Sequence, residues 1–156
     1  MKIGIIVHSQ TGHNLAVAEA LKAKLAAAGH SANIERINPV DPKQTDAKKI
    51  QIEKLPDLSA YDALVLAAPV QAFSLSNVMK AYLPHLPALN GKKVAIFVTK
   101  GLPFNWTGGN SSVSAIKNAV ESKGGVVVGS ELMAWGGDAD RDKRIGDMVD
   151  RLSKLF

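Results

Sequence analysis

The chain has 156 residues, 46% of them apolar and 21% charged, with a formal net charge of +5. These are the proportions of an ordinary globular protein, long enough to bury a real core, and one domain spanning residues 1–156 is expected. There is no cysteine, which excludes disulfides, thiol catalysis, Cys-ligated zinc and iron–sulfur clusters. The apolar run Ile3 to Val7 is too short for a signal peptide, and no run reaches the ~18 residues of a membrane span. A cytoplasmic protein is expected. His8, His13, His30 and His85 have no metal-ligand spacing, and no metal site is expected.

The N-terminal stretch sets the pattern. Ile3 to Val7 reads as a short buried strand. Small polar residues follow at once, and then a helical pattern from about Leu15 to Ala28, with Leu15, Ala18, Leu21 and Leu25 on one face. Gly29 is placed to end that helix. Ser9, Thr11 and Asn14 put polar side chains on the loop, and Gly12 allows a tight turn. Free N–H groups of the loop and of the helix N-terminus would converge on one spot, an arrangement that holds anions and most often phosphate.

Residues 31–38 read as a second, more polar strand, suited to a sheet edge. Residues 39–57 contain Pro39, Pro42 and Pro56 and mixed charges. They read as a surface crossover in which Ile50, Ile52 and Leu55 pack a short helix or turn. Asp62 to Ala68 is apolar almost throughout, as a central parallel strand covered on both faces should be. Pro69 is expected to stop it. A loop from Val70 to Leu75 leads to a helix carrying Val78, Met79, Tyr82, Leu83 and Leu86. Lys93 to Thr99 is a fourth strand, running into a Gly-rich loop that holds Phe104 and Trp106. A helix opens near Asn110 or Ser111, with Val113, Ile116 and Val120 inward, and Gly124-Gly125 ends it. Val126 to Leu132 is the fifth strand. Asp138 or Asp140 is placed to cap a last helix with Ile145, Met148, Val149, Leu152 and Phe156 as its apolar stripe. Strand and helix thus alternate five times, which argues for a parallel sheet with helices on both faces.

In such a sheet, ligands bind beyond the carboxyl ends of the strands, where the strand order reverses. Three loops qualify: Ser9–Asn14, Pro69–Leu75 and Thr99–Gly109. The first has phosphate-binding chemistry, and the other two carry aromatics. Together they suit a planar ring with a phosphate tail. The charge distribution offers two readings. No acidic residue stands between Asp62 and Glu121, while Lys80, Lys92, Lys93, Lys100 and Lys117 do. These lysines either merely solvate surface helices or favour anionic ligands and partners. They are scattered and lack an aromatic-rich basic face, so nucleic acid is not expected. Other chemistries of doubly wound folds are missing their residues. Ala67 and Ala68 stand where a phosphoryl-accepting Asp would end the third strand. There is no Gly-x-Ser-x-Gly elbow, no Gly-x-Gly-x-x-Gly fingerprint and no Walker loop.

At these residues the chain resembles the flavodoxin family. Ser9-Gln10-Thr11-Gly12-His13-Asn14 is close to the family's Ser/Thr-x-Thr-Gly-x-Thr phosphate loop. Ala68-Pro69-Val70 and the loop into Gly108-Gly109 match more weakly. The resemblance implies an α/β fold, a three-layer α/β/α sandwich with a five-stranded parallel sheet in order 2-1-3-4-5. It also implies non-covalently bound FMN. Ser9, Gln10, Thr11, Gly12, His13 and Asn14 would wrap the phosphate. Pro69, Val70, Gln71, Ala72 and Phe73, with Thr99, Lys100, Gly101, Phe104, Trp106, Gly108 and Gly109, would flank the flavin ring. Trp106 is the first candidate to stack on it, then Phe104 or Phe73.

Three departures from the pattern stand out. Asn14 replaces the last hydroxyl of the phosphate loop, and His13 adds a potential cation there. Residues 70–73 lack the glycine that eases a peptide flip on flavin reduction in the family, so the one-electron-reduced flavin is expected to be less favoured. The site loops also lack the acidic residues with which flavodoxins dock basic partners. An electron-transfer protein is the reading the sequence favours. Beside it stand an NAD(P)H-dependent FMN reductase acting on a quinone or similar acceptor, and a flavin-less binding or regulatory module. The expected partner is a redox protein, acidic in character, or a small-molecule electron acceptor, with the chain a monomer or weak dimer.

Overall fold

Alternation along the strands decides the layers. In the first strand Ile3, Ile5 and Val7 face one side and Ile6 the other. In the third, Ala63, Val65 and Ala67 oppose Leu64, Leu66 and Ala68, and after it Ala95 and Phe97 oppose Val94, Ile96 and Val98. A strand apolar on both faces needs cover on both, because successive side chains point to opposite sides. The computed structural model describes residues 1–101, 108–136 and 140–156. In it β1 (Lys2–Val7), β2 (Ser31–Arg36), β3 (Ala63–Gln71), β5 (Lys93–Lys100) and β6 (Val126–Ala134) form a parallel sheet in the order β2-β1-β3-β5-β6, and the short β4 (Ser74–Leu75) pairs antiparallel with β3. Counted over the parallel strands alone, this is the expected order 2-1-3-4-5.

Four helices supply the cover. α1 (His13–Ala27) and α4 (Arg141–Ser153) close one face with Val17, Ala18, Leu21, Leu25, Met148, Val149 and Leu152. α2 (Asn77–Tyr82) and α3 (Gly109–Ser122) close the other with Val78, Met79, Tyr82, Ile116 and Val120. A 3-10 turn over Leu83–His85 continues α2 and buries Leu83. Gly29 adopts φ 90° just past α1, the left-handed conformation that a chain leaving a helix commonly takes. Among the described residues no helix is long and apolar enough to cross a membrane.

One sequence expectation needs correction and three are sharpened. Pro69 does not stop the third strand, which runs on to Gln71. The carbonyl of Ala67 accepts the His8 N–H at 3.0 Å, so by the two-residue alternation the nitrogen of Pro69 faces the same side. β1 has already ended there at Val7, so no bond to β1 is lost, and the Pro69 carbonyl accepts the Ser76 N–H at 3.0 Å. Residues 39–57 take the turn rather than the helix, the Lys49 and Ile50 N–H groups donating to the Asp46 carbonyl at 2.9 and 3.1 Å. They fold back on themselves through a Pro39–Ile52 antiparallel bridge, with Ile50 buried and Leu55 exposed. The two helices that flank the site start earlier than expected, at His13 and Gly109. Asp140 stands at the N-cap of α4 but makes no side-chain capping bond, and Asp138 lies outside the described residues.

Gly4 sits in the middle of β1 under the ring of Tyr61. A Cβ there would lie 2.6 Å from Tyr61 Cδ2, and the buried Tyr61 is held by its hydroxyl donating to Glu35 Oε1 at 2.7 Å. Gly4→Ala should therefore lower the unfolding free energy by about 1–3 kcal/mol, the usual cost of overpacking, read by urea denaturation.

Candidate functional site

β1 ends at Val7 opposite Ala67, and β3 and β5 rise beyond it in register, with Pro69 beside Thr99. The first loop leaves the sheet at this step. The side chain of Ser9 turns back into the loop, its Oγ accepting the Leu15 N–H at 3.2 Å, and the carbonyl of Ser9 accepts from Arg36 Nη2 at 3.3 Å. Gly12 takes φ 88° at the N-cap of α1, where it offers no side-chain cap of its own, and the first turn holds no acidic residue. Ser9 Oγ caps this first turn through the Leu15 N–H, and an outside anion would meet the N–H groups that precede it.

Asn14 is almost wholly buried. Its Nδ2 donates to Thr99 Oγ1 at 2.9 Å, tying the first loop to the end of β5. Its Oδ1 has no hydrogen-bond partner among the described residues. A buried amide oxygen left so is costly, and a ligand hydroxyl or N–H would satisfy it.

The three loops meet in a cleft of about 190 Å³. Gln10, Thr11 and His13 line it from the first loop, Pro69, Val70 and Gln71 from β3, and Thr99, Lys100 and Gly101 from β5. Across it Gln71 Nε2 donates to Gln10 Oε1. No carboxylate lines the cleft among the described residues. Burial lowers the pKa of the Lys100 ammonium, which nonetheless brings a cation to an otherwise neutral wall. Ser9, Gly12 and Asn14 shape the first loop without lining the cleft.

Ala72 and Phe73 form the two-residue turn of the β3–β4 hairpin, at φ 48° and 62°. Positive φ at both central residues is the type I′ turn, normally Asn-Gly. Gly108, at φ 108°, presses against this turn. A Cβ there would stand 2.4 Å from the carbonyl carbon of Phe73. Gly109 begins α3, with Lys100 Cδ and Leu132 close enough to crowd a Cβ. Phe104 and Trp106 lie outside the described residues.

One aromatic escaped the sequence reading. Trp135 stacks on His13 with ring centroids 4.1 Å apart and an interplanar angle of 11°, and the Arg141 guanidinium lies 4.8 Å over the same indole. Backbone bonds hold the stack: the Trp135 N–H donates to the Lys100 carbonyl at 2.7 Å and Arg141 Nη2 to the Trp135 carbonyl at 2.8 Å. Burial, and then the Arg141 charge, push the His13 imidazole below its ordinary pKa. The available signal was positional, since Trp135 directly follows the last strand of the sheet at the same carboxyl edge.

These residues fit the phosphate and polyol end of FMN. The N-terminus of α1, the Thr11 hydroxyl, Lys100 and the absence of a carboxylate among the described lining residues suit the phosphate, while Gln10, Gln71 and Thr99 suit hydroxyls. The cleft is smaller than the ~300–1,000 Å³ of a whole cofactor site, so the described walls match only part of the molecule.

A family model described as NADPH-dependent FMN reductase matches residues 1–139. The chain belongs to that family. No curated protein matches it in sequence. Among solved structures, a point mutant of flavodoxin from Pseudomonas aeruginosa is similar with a TM-score of 0.68 at 16% identity, over 99% of this chain and 98% of that one. Oxidised flavodoxin 1 from Bacillus cereus gives 0.66 at 15% identity, over 100% and 99%. A flavoprotein from Lactobacillus acidophilus NCFM, solved in complex with FMN, gives 0.63 at 19% identity, over 91% and 97%. At such identities the likeness establishes the fold alone. This family member has the flavodoxin-like α/β fold.

Two outcomes follow from the geometry. His8 is buried, with Nδ1 at 2.9 Å from Ser76 Oγ, and burial together with the Arg36 charge pushes its pKa from 6.5 down to about 4. Between those values the unfolded chain binds the extra proton, so stability is intact above pH 6.5 and falls as pH drops toward 4. The loss should be about 3 kcal/mol by pH 4, and His8→Gln should flatten that part of the urea-unfolding profile. In the hairpin, Phe73 is 66% exposed, so replacing Ala72-Phe73 by Asn-Gly gives up little burial. The double variant should gain about 1–2 kcal/mol in the same assay by removing left-handed strain.

Proposed function

We propose that this chain is an FMN-dependent oxidoreductase that uses NADPH as hydride donor and a small molecule as acceptor. The match of the reductase family model to residues 1–139 carries this reading. FMN is the cofactor, supported by the family and by the fit of the cleft to its phosphate and polyol end. The redox chemistry is the cofactor's own, hydride acceptance from a nicotinamide and delivery to an acceptor.

The residues of the chain bind and orient. Thr11 and the N–H groups around Gly12 hold the phosphate, with Lys100 adding charge. Asn14, fixed on Thr99, ties the first loop to the end of β5 behind the cleft. Trp135 keeps the His13 ring against the start of α1, so that the loop meets the ligand already shaped. A cleft with no carboxylate among its described lining residues also favours an anionic dinucleotide donor over repelling it. A carrier function is the second reading, supported by similarity to flavodoxins along the whole chain. In that case the partner is a redox protein, and the basic charge of this chain favours an acidic one.

The decisive experiment adds NADPH without oxygen to the FMN-loaded protein. Rapid bleaching of the yellow colour is expected, and a colour that persists until a reductase is added would establish the carrier instead. Thr11→Val should weaken FMN binding by roughly 1.5–3 kcal/mol, ten- to a hundredfold in Kd by fluorescence quenching. An unchanged Kd would remove Thr11 from the phosphate site.

A further inference from the structure

A second cavity, of about 410 Å³, opens beside the flavin cleft on the β2 side of the sheet. Its floor is His8 and Ser9 at the end of β1. One wall is the crossover that follows β2, and the other is Gln71 with the start of α2. The crossover wall is built and pinned. Val40 N–H donates to the Gln51 carbonyl at 2.9 Å and Glu53 N–H to the Asn38 carbonyl at 2.8 Å, on either side of the Pro39–Ile52 bridge. Farther along, Asn77 Nδ2 donates to the Thr45 carbonyl at 2.7 Å and clips the crossover to α2.

The lining has two characters. Pro39, Pro42, Ile50 and Val78 supply apolar surface, and Asn38, Gln44, Thr45, Gln71 and Asn77 supply amides and a hydroxyl. Glu53, exposed to solvent, is the one carboxylate, and no Lys or Arg lines the cavity among the described residues. A phosphate or carboxylate would find no cation here, and a cation would find a single screened charge of little value. Apolar walls with a few convergent amides suit an uncharged ring with polar groups on its edge, and the volume lies in the usual range for such sites.

The two cavities share a partition. Gln10 and Gln71 line both, and they are joined by a hydrogen bond, while Gln71 Oε1 accepts the Asn77 N–H at 3.3 Å. A ligand that bonds to either glutamine from the second cavity competes with that partition and alters the wall of the first.

We propose that this second cavity is a binding site for an uncharged carbonyl-bearing ring of one or two rings, and that its occupancy is felt in the flavin cleft through the Gln10–Gln71 pair. A quinone and a nicotinamide-type carboxamide share this chemistry. The site stands independently of the flavin reading, because its walls and pinning bonds are made by the chain's own residues.

The test is a titration of isotope-labelled, cofactor-free protein, followed by NMR, with duroquinone and separately with nicotinamide. The chain has no thiol for a quinone to modify. Saturable shifts are expected at Asn38, Thr45, Asn77 and Val78 and at the side-chain amides of Gln10 and Gln71, and the compound that saturates them identifies the source. Thr45→Trp, which fills the cavity from its rim, should raise that Kd about tenfold or more. The ring at saturation should change the Kd of FMN by about fivefold, and FMN should change that of the ring by the same factor. No saturable shift from either compound, or shifts centred on Thr11, Thr99 and Gly101, would overturn the site, and the wild-type titration stands even if Thr45→Trp folds poorly. Equal FMN affinity with and without the ring would overturn the coupling. Binding of the ring by a protein that never binds FMN would leave this site intact and overturn the flavin reading alone.

Discussion

The site depends on a difference in strand length. β1 stops at Val7, paired with Ala67, while β3 continues to Gln71 and β5 to Lys100. The step this leaves on the carboxyl edge of the sheet is where the first loop turns away. Above it the end of β3 folds over with β4 into a hairpin. One flank of that hairpin faces the cleft with Thr11, Thr99 and Lys100, and the other faces the larger cavity beneath the crossover. Had β1 run on in register with β3, its backbone would occupy the side that Pro69 leaves without a donor, and neither cavity would form.

That hairpin is held by its surroundings rather than by its own preferences. Two consecutive non-glycine residues in left-handed conformation cost about 1–2 kcal/mol each. The opposing terms are local and identifiable: the β3–β4 pairing, the Ser76 N–H on the Pro69 carbonyl at 3.0 Å, and Ser76 Oγ capping α2 through the Met79 N–H while also meeting His8. Gly108 adds a close backbone approach from α3 that no side chain would allow. Strain of this kind persists where neighbouring structure over-determines it, commonly at functional sites. Ala72 and Phe73 already hold positive φ, so the lack of glycine in this loop has not prevented the conformation. Its energetic cost is carried in the folded state.

Much of the candidate site could be read from residue order. A buried strand followed by Ser9 to Asn14 and a helix announces an anion-binding turn. The parallel alternation then predicts that the ends of the third and fourth strands, Pro69 to Gln71 and Thr99 to Gly101, come to the same edge. Less legible were features that depend on partners distant in sequence. Pro69 looked like a terminator because its missing donor is harmless only beside a strand that has ended. Residues 39–57 read as a helix or turn because Ile50 and Ile52 are close in sequence; the turn forms at Asp46–Ile50, but Ile52 is held by a bridge to Pro39. Trp135 had no local signature, and its role comes from stacking on His13, more than a hundred residues away in the chain.

By itself, the sequence determined the layered α/β plan and the small polar loop that joins the first strand to the first helix. Both follow from local causes: two-faced apolar strands must be covered on both sides, and small polar residues with a glycine between strand and helix make a tight turn. Tertiary structure alone decided how those parts meet. It set the step between β1 and β3, the Gln10–Gln71 partition and the His13–Trp135–Arg141 stack. Each requires strand register or contact between segments far apart in the chain, and no periodicity or spacing along the chain encodes that.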